Sequence, residues 1–116
     1  MFRVSEAEFD ALVNSALDAL PGELADQVQN LVVLVEDESP PDLPGLLGLY
    51  DGVPLTERSA NEPLLVPDRI YLFRGPLMRM CASAEELGRE IGITVVHEIA
   101  HHFGIEDSAL HEWGYG

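Results

Sequence analysis

The run His97-Glu98-Ile99-Ala100-His101 sets two imidazoles four residues apart, with a carboxylate directly after the first. On a helix, residues four apart share a face with Cβ atoms about 6 Å apart, so both rings can converge on one ion at Zn–N bonds of roughly 2.0–2.1 Å. Glu98 is rotated by about 100° from His97, so its carboxylate flanks such an ion and can take a proton from zinc-bound water. Gly104 follows, and glycine enters the left-handed region cheaply. A turn there could bring Asp107 to the metal as a third protein ligand. The fourth position would stay open, as a catalytic site requires. On an uninterrupted helix Asp107 would lie about 9 Å further along the axis than His101, so the turn is a condition of this assignment.

All four histidines, His97, His101, His102 and His111, fall in the last twenty residues. A chance His-Glu-x-x-His match in so short a chain should occur on the order of a few times per thousand. The competing reading makes both histidines ordinary groups on a helix packed by Val95, Ile99 and Phe103. Each neighbour also has a dull and a functional reading. His102 is expected to face solvent, since it points away from the His97–His101 face. His111 stands one turn beyond Asp107, which makes it an outer partner or a substitute ligand if residues 106–113 are helical. Glu106 is a weaker candidate ligand. Tyr71, Tyr115 or an arginine could stabilise an oxyanion, and nothing in the spacing chooses among them. Cys81 reads as an inert thiol.

The segment His97 to Asp107 resembles the zincin pattern His-Glu-x-x-His-x-x-Gly-x-x-His/Asp, and nearly the whole chain is similar to a bacterial family of minimal zincin-like metallopeptidases. That resemblance implies His97, His101 and Asp107 as zinc ligands and Glu98 as general base. It also matches a segment like Gly52-Val53-Pro54-Leu55-Thr56-Glu57-Arg58 ahead of the last strands. It implies no particular substrate beyond a peptide or protein segment. The chain departs from the larger metzincin pattern, whose methionine turn follows the motif, because Met78 and Met80 precede it and only nine residues follow Asp107. A carboxylate as third ligand would make the zinc a weaker Lewis acid.

The elements that must hold these residues follow from capping and periodicity. Ser5 with Glu8 opens a helix whose apolar positions Phe9, Leu12, Val13, Ala16, Leu17 and Leu20 recur at three and four, up to Pro21-Gly22. Leu31-Val32-Val33-Leu34-Val35 reads as a buried strand. Leu46 to Tyr50 reads as a short strand before Asp51-Gly52, within a long loop from Glu38 to Pro67. Arg69 to Arg74 alternates and stops at Gly75-Pro76, which reads as a strand and as an edge along which an extended substrate could add. Ser83 with Glu86 opens a helix from Ala84 to about Phe103.

Composition bounds the rest. At 116 residues with 47% hydrophobic content, one domain over residues 1–116 is expected. A net charge of -15 argues against nucleic-acid and anionic-membrane partners. No apolar run approaches the roughly 18 residues of a membrane span. The acidic start, without a secretory apolar stretch, and the single cysteine make a cytoplasmic location the expectation. All six basic residues are arginines, five of them between Arg58 and Arg89. They read as a solvated surface, or as partners for a substrate carboxylate.

The resulting expectation is an α+β, minimal zincin-like fold, a small mixed sheet packed against an N-terminal helix and a long zinc-bearing helix. Its function would be that of a zinc-dependent metallopeptidase. The rivals are a non-enzymatic metal-binding or interaction module with an occluded site, and a hydrolase of non-peptide amides. The sequence leaves the oligomeric state open.

Overall fold

The computed structural model describes residues 2–26, 31–52, 68–105 and 107–115, the side chains of Glu23 and Asp107 apart. Helix α1 (Glu6–Asp18) begins where Ser5 Oγ accepts from the Glu8 N–H at 3.1 Å. The Glu8 carboxylate takes the Ser5 hydroxyl, also at 3.1 Å, in place of the serine N–H that a full reciprocal box would use. A one-turn helix α2 (Gly22–Ala25) follows, and the strands are β1 (Leu31–Glu36), β2 (Gly48–Asp51) and β3 (Asp68–Phe73). Then come α3 (Arg74–Arg79), α4 (Ala84–His102) and α5 (Asp107–Glu112). Ser83 caps α4 by accepting from the Glu86 N–H. The expected α+β class with a small mixed sheet is what the chain forms.

The described strands run in the order β1-β3-β2, with β1 parallel and β2 antiparallel to β3. This corrects the expectation that Arg69–Arg74 is an edge. Residues 69–73 lie in the central strand, with Ile70 and Leu72 fully buried, and among the described strands β1 and β2 are the outer ones. The alternation in β3 reflects one face packed on helices rather than an unpaired side. Gly75-Pro76 does not lead into a loop either. It enters α3, whose early proline is tolerated because the first helical turn has no use for that N–H.

The core lies between the sheet and the helices. Phe9 and Val13 of α1, Ile70 and Leu72 of β3, and Leu87, Ile91, Val95 and Ile99 of α4 form its centre, joined by Leu24, Leu77 and Leu110. The last three buried positions of α4 in that set, Ile91, Val95 and Ile99, recur every fourth residue, so one stripe of the helix is fixed against the rest of the chain.

Three of the arginines bind the chain's own carboxylates. Arg74 pairs with Glu6 and Asp37, Arg79 with both oxygens of Glu38 at 3.0 and 2.8 Å, and Arg69 with Asp51 at 3.1 Å. The Arg74 side chain is only 15% exposed and joins the start of α1 to the end of β1. These contacts favour the surface reading for these three over a substrate carboxylate.

Gly48 is where the edge strand is allowed close to α4. A Cβ there would stand 2.7 Å from Thr94 Cγ2 and 3.1 Å from the Tyr71 carbonyl oxygen. Gly48→Val should therefore lift β2 from α4 and cost about 1–3 kcal/mol, read as a lower urea midpoint at unchanged slope. A variant as stable as the parent would show that this close approach is not needed.

Candidate functional site

Helix α4 carries the motif and stops where the spacing requires. Gly104 adopts φ +71°. The Ile105 N–H reaches the Ala100 carbonyl at 2.8 Å and the Gly104 N–H that of His101 at 3.2 Å. This pair of bonds is a Schellman turn, which satisfies the last helical carbonyls while reversing the chain. The break separates α4 from α5, whose first residue is Asp107. The Asp107 side chain and Glu106 lie outside the described residues, as does the segment 53–58 that carries the rest of the resemblance.

His97 and His101 sit one turn apart, their ring centroids separated by 5.7 Å at an interplanar angle of 87°. Two imidazoles on one tetrahedral ion hold their centroids about 5 Å apart, given the Zn–N length, so the separation of these rings is close to that of a shared metal site. His97 is half-buried and His101 exposed, which leaves the pair reachable from one side. Among the described residues no group of three His, Cys, Asp or Glu side chains is gathered for an ion, so the described donor set is two nitrogens. His111 is exposed on α5, while its neighbour Leu110 turns into the core.

The next stripe of α4 holds what the sequence did not reveal. Thr94, Glu98 and His102 recur every four residues and so lie along one line of the helix. Edge strand β2 covers that line. Thr94 meets Gly48, the Glu98 carboxylate accepts the Tyr50 backbone N–H, and the His102 ring stacks on the Tyr50 ring at 3.9 Å and 17°. The register explains the middle contact. The Phe73 N–H bonds the Leu47 carbonyl at 3.0 Å, so odd-numbered residues of β2 face β3 and the backbone groups of Gly48 and Tyr50 point the other way.

His102 is therefore not the solvent-facing residue expected from its angle to the His97–His101 face. Its side chain is 9% exposed and its Nε2 lies 3.8 Å from Asp68 Oδ2, because the helix has two covered stripes and His102 belongs to the second. Asp68 accepts the Tyr50 hydroxyl at 2.7 Å. Tyr50 is thus gripped at three points, through its backbone by Glu98, through its ring by His102 and through its hydroxyl by Asp68. Only the four-residue spacing from Glu98 to His102 could have hinted at this, and spacing names no strand to cover the stripe.

Burial pushes the Glu98 carboxyl above the usual carboxylate range, opposed in part by the Tyr50 N–H and by the nearby His101 and His97. A base so raised holds protons more strongly than an exposed glutamate. Burial likewise pushes the Cys81 thiol up, with Glu86 and Glu90 adding to it, which suits an inert group. The Tyr115 hydroxyl is directed at the Ala19 carbonyl, 3.4 Å away, so it is a poor oxyanion donor in this arrangement.

The zincin-like metallopeptidase family matches residues 28–115 of the sequence, which includes every candidate ligand and all three described strands. The chain belongs to that family. No curated protein sequence matches this zincin-like chain. Among solved structures it is similar to a conserved hypothetical protein from T. thermophilus, at 25% identity and a TM-score of 0.60 over 86% of this chain and 94% of the other. No helix among the described residues is long and apolar enough to cross a membrane.

Proposed function

We propose that the chain is a zinc-dependent peptidase in which His97, His101 and Asp107 hold the metal and Glu98 is the general base. The observation that carries this is the placement of Glu98, a half-buried carboxylate of raised proton affinity, one residue past His97 and tied to the backbone of the edge strand. Family membership supports the reaction class. A zinc ion bound at the two histidines would supply Lewis-acid polarisation of the scissile carbonyl.

The chain's own residues carry the proton. Glu98 takes a proton from the attacking water as the water oxygen bonds to the carbonyl carbon. The protonated carboxyl then delivers it to the amide nitrogen as the C–N bond breaks. The Tyr50 N–H, pointing away from β3, holds one carboxylate oxygen in place and leaves the other for the water. An extended peptide cannot add along β3, which is flanked on its two sides by β1 and β2.

The test is cleavage of a peptide library by the purified chain, with and without chelator. Cleavage that stops on chelation and returns with added zinc is expected. Cleavage indifferent to chelator would point to another catalyst, and no cleavage of any peptide would favour a metal-binding module without peptidase activity.

A further inference from the structure

The turn after α5 places a second group on His97. The Tyr115 main-chain carbonyl oxygen lies 2.6 Å from His97 Nε2. A carbonyl only accepts, so Nε2 is the donor and carries the ring proton. A nitrogen in that state has no lone pair to give a metal. Nε2 is also the ring nitrogen farther from the helix backbone, the one that an ion shared with His101 and approached from α5 would use.

The contact is built rather than incidental. Gly114 adopts φ +84°, the Gly114 N–H bonds the His111 carbonyl at 3.1 Å and the Tyr115 N–H bonds that of Leu110 at 2.9 Å. This repeats the Schellman geometry that ends α4. Leu110 is fully buried, so the turn is anchored to the core. The Tyr115 side chain lines a groove of about 270 Å³ between α1 and α4, with Leu12, Ala16, Gly88 and Gly92, and its hydroxyl reaches Ala19. The carbonyl is aimed at His97 by contacts on both sides of it.

We propose that this turn is a built-in competitor for the metal: the Tyr115 carbonyl holds His97 Nε2 in the metal-free chain, and metal loading opens the turn. The proposal rests on the reading of His97 as a ligand. A closed state that excludes the metal lowers apparent affinity by the fraction of chains that are open. One hydrogen bond of this kind is worth a factor of roughly two to ten in that equilibrium.

The experiment compares zinc affinity, by competition with a chromophoric chelator, in the full chain, in Tyr115→Ala and in a chain ended at Gly114. The chain ended at Gly114, which lacks the carbonyl, should bind zinc roughly two- to tenfold more tightly, and Tyr115→Ala, which keeps the carbonyl but loses the side chain that anchors it, should change in the same direction by a smaller factor. Tyr115→Ala keeps the chain length, so the comparison survives if the shortened chain fails to fold. Nitrogen-15 spectra of the metal-free full chain should show the His97 proton on Nε2. Zinc should move that proton from Nε2 to Nδ1 and shift the fluorescence of Trp113, the chain's single tryptophan, which lies in the same turn. Equal affinity in all three would leave the ligand reading intact and overturn the competitor. Weaker binding by the variants would also overturn it, making the carbonyl an orienting partner for coordination through Nδ1. Absence of zinc binding in all three would remove the metal reading and the competitor with it.

Discussion

Glu98→Gln should lower peptide hydrolysis by about 10²–10⁴-fold while zinc affinity stays within a few-fold of the parent. The amide keeps the shape of the carboxylate and its oxygen can still accept the Tyr50 N–H, so the helix and the edge strand keep their contact. What it cannot do is take the proton. The same substitution should move stability the opposite way. Burial raises the folded-state pKa of Glu98 above its unfolded value. The stability that its protonated form contributes is thus fully present below the ordinary glutamate pKa of about 4.3, and it is lost as pH rises through the raised folded value. Above its raised pKa the metal-free parent carries an ionised, partly desolvated carboxylate that the neutral amide does not. Thermal melts in chelator should therefore place Glu98→Gln above the parent at pH values above that pKa and level with it at about pH 4. Equal hydrolysis by both proteins would remove Glu98 from the chemistry. A lower melting temperature for the variant above that pKa would make Glu98 a structural group whose charge the fold needs.

That opposition of signs separates function from packing, since a residue kept for the fold should not destabilise it. It also accounts for the effort the fold makes around Tyr50. A half-buried carboxylate would relax toward solvent if its strand could move away. The stacked His102 and the Asp68–hydroxyl bond hold that strand down from two sides.

The elements that arise from local rules were legible in the sequence. Both serine caps, the long helix and its stop at Gly104, and all three strands of the described sheet follow from residues within a turn or a strand of one another. The failures share a cause, which is tertiary cover. Arg69–Arg74 alternates as an edge would, yet whether a strand is flanked once or twice depends on where β1 and β2 land. His102 points away from the presumed metal face, and only the descent of β2 onto the Thr94–Glu98–His102 stripe shows that a second face is occupied. Helix α3 was hidden because Gly75-Pro76 punctuates a strand end and a helix start equally well. Within the site, helical periodicity placed His97, Glu98 and His101 together. Tyr50 and Asp68 are 18 residues apart in sequence and join through sheet register alone.

The ligand set is open to a direct measurement, and its expected effects are the largest in binding. Outer-shell changes in metal sites cost about 10–100-fold in affinity, so removal of a ligand itself should exceed roughly 100-fold. His97→Ala and His101→Ala are each expected to do so in a chelator-competition titration with zinc. Their rings stand one helical turn apart, and neither can replace the other. His102→Ala should stay within about tenfold, because its ring is committed to Tyr50 and at most orients the neighbouring residues. This contrast between adjacent histidines is the sharpest available, since composition and helix position are nearly the same for both. Asp107→Ala should also weaken binding beyond roughly 100-fold if the α5 start supplies the third donor, since two nitrogens alone leave the ion to water. An Asp107→Ala chain that binds like the parent would move the third ligand to Glu106 or to His111, the exposed histidine one turn further along α5. The double variant Asp107→Ala/His111→Ala would then decide between those two.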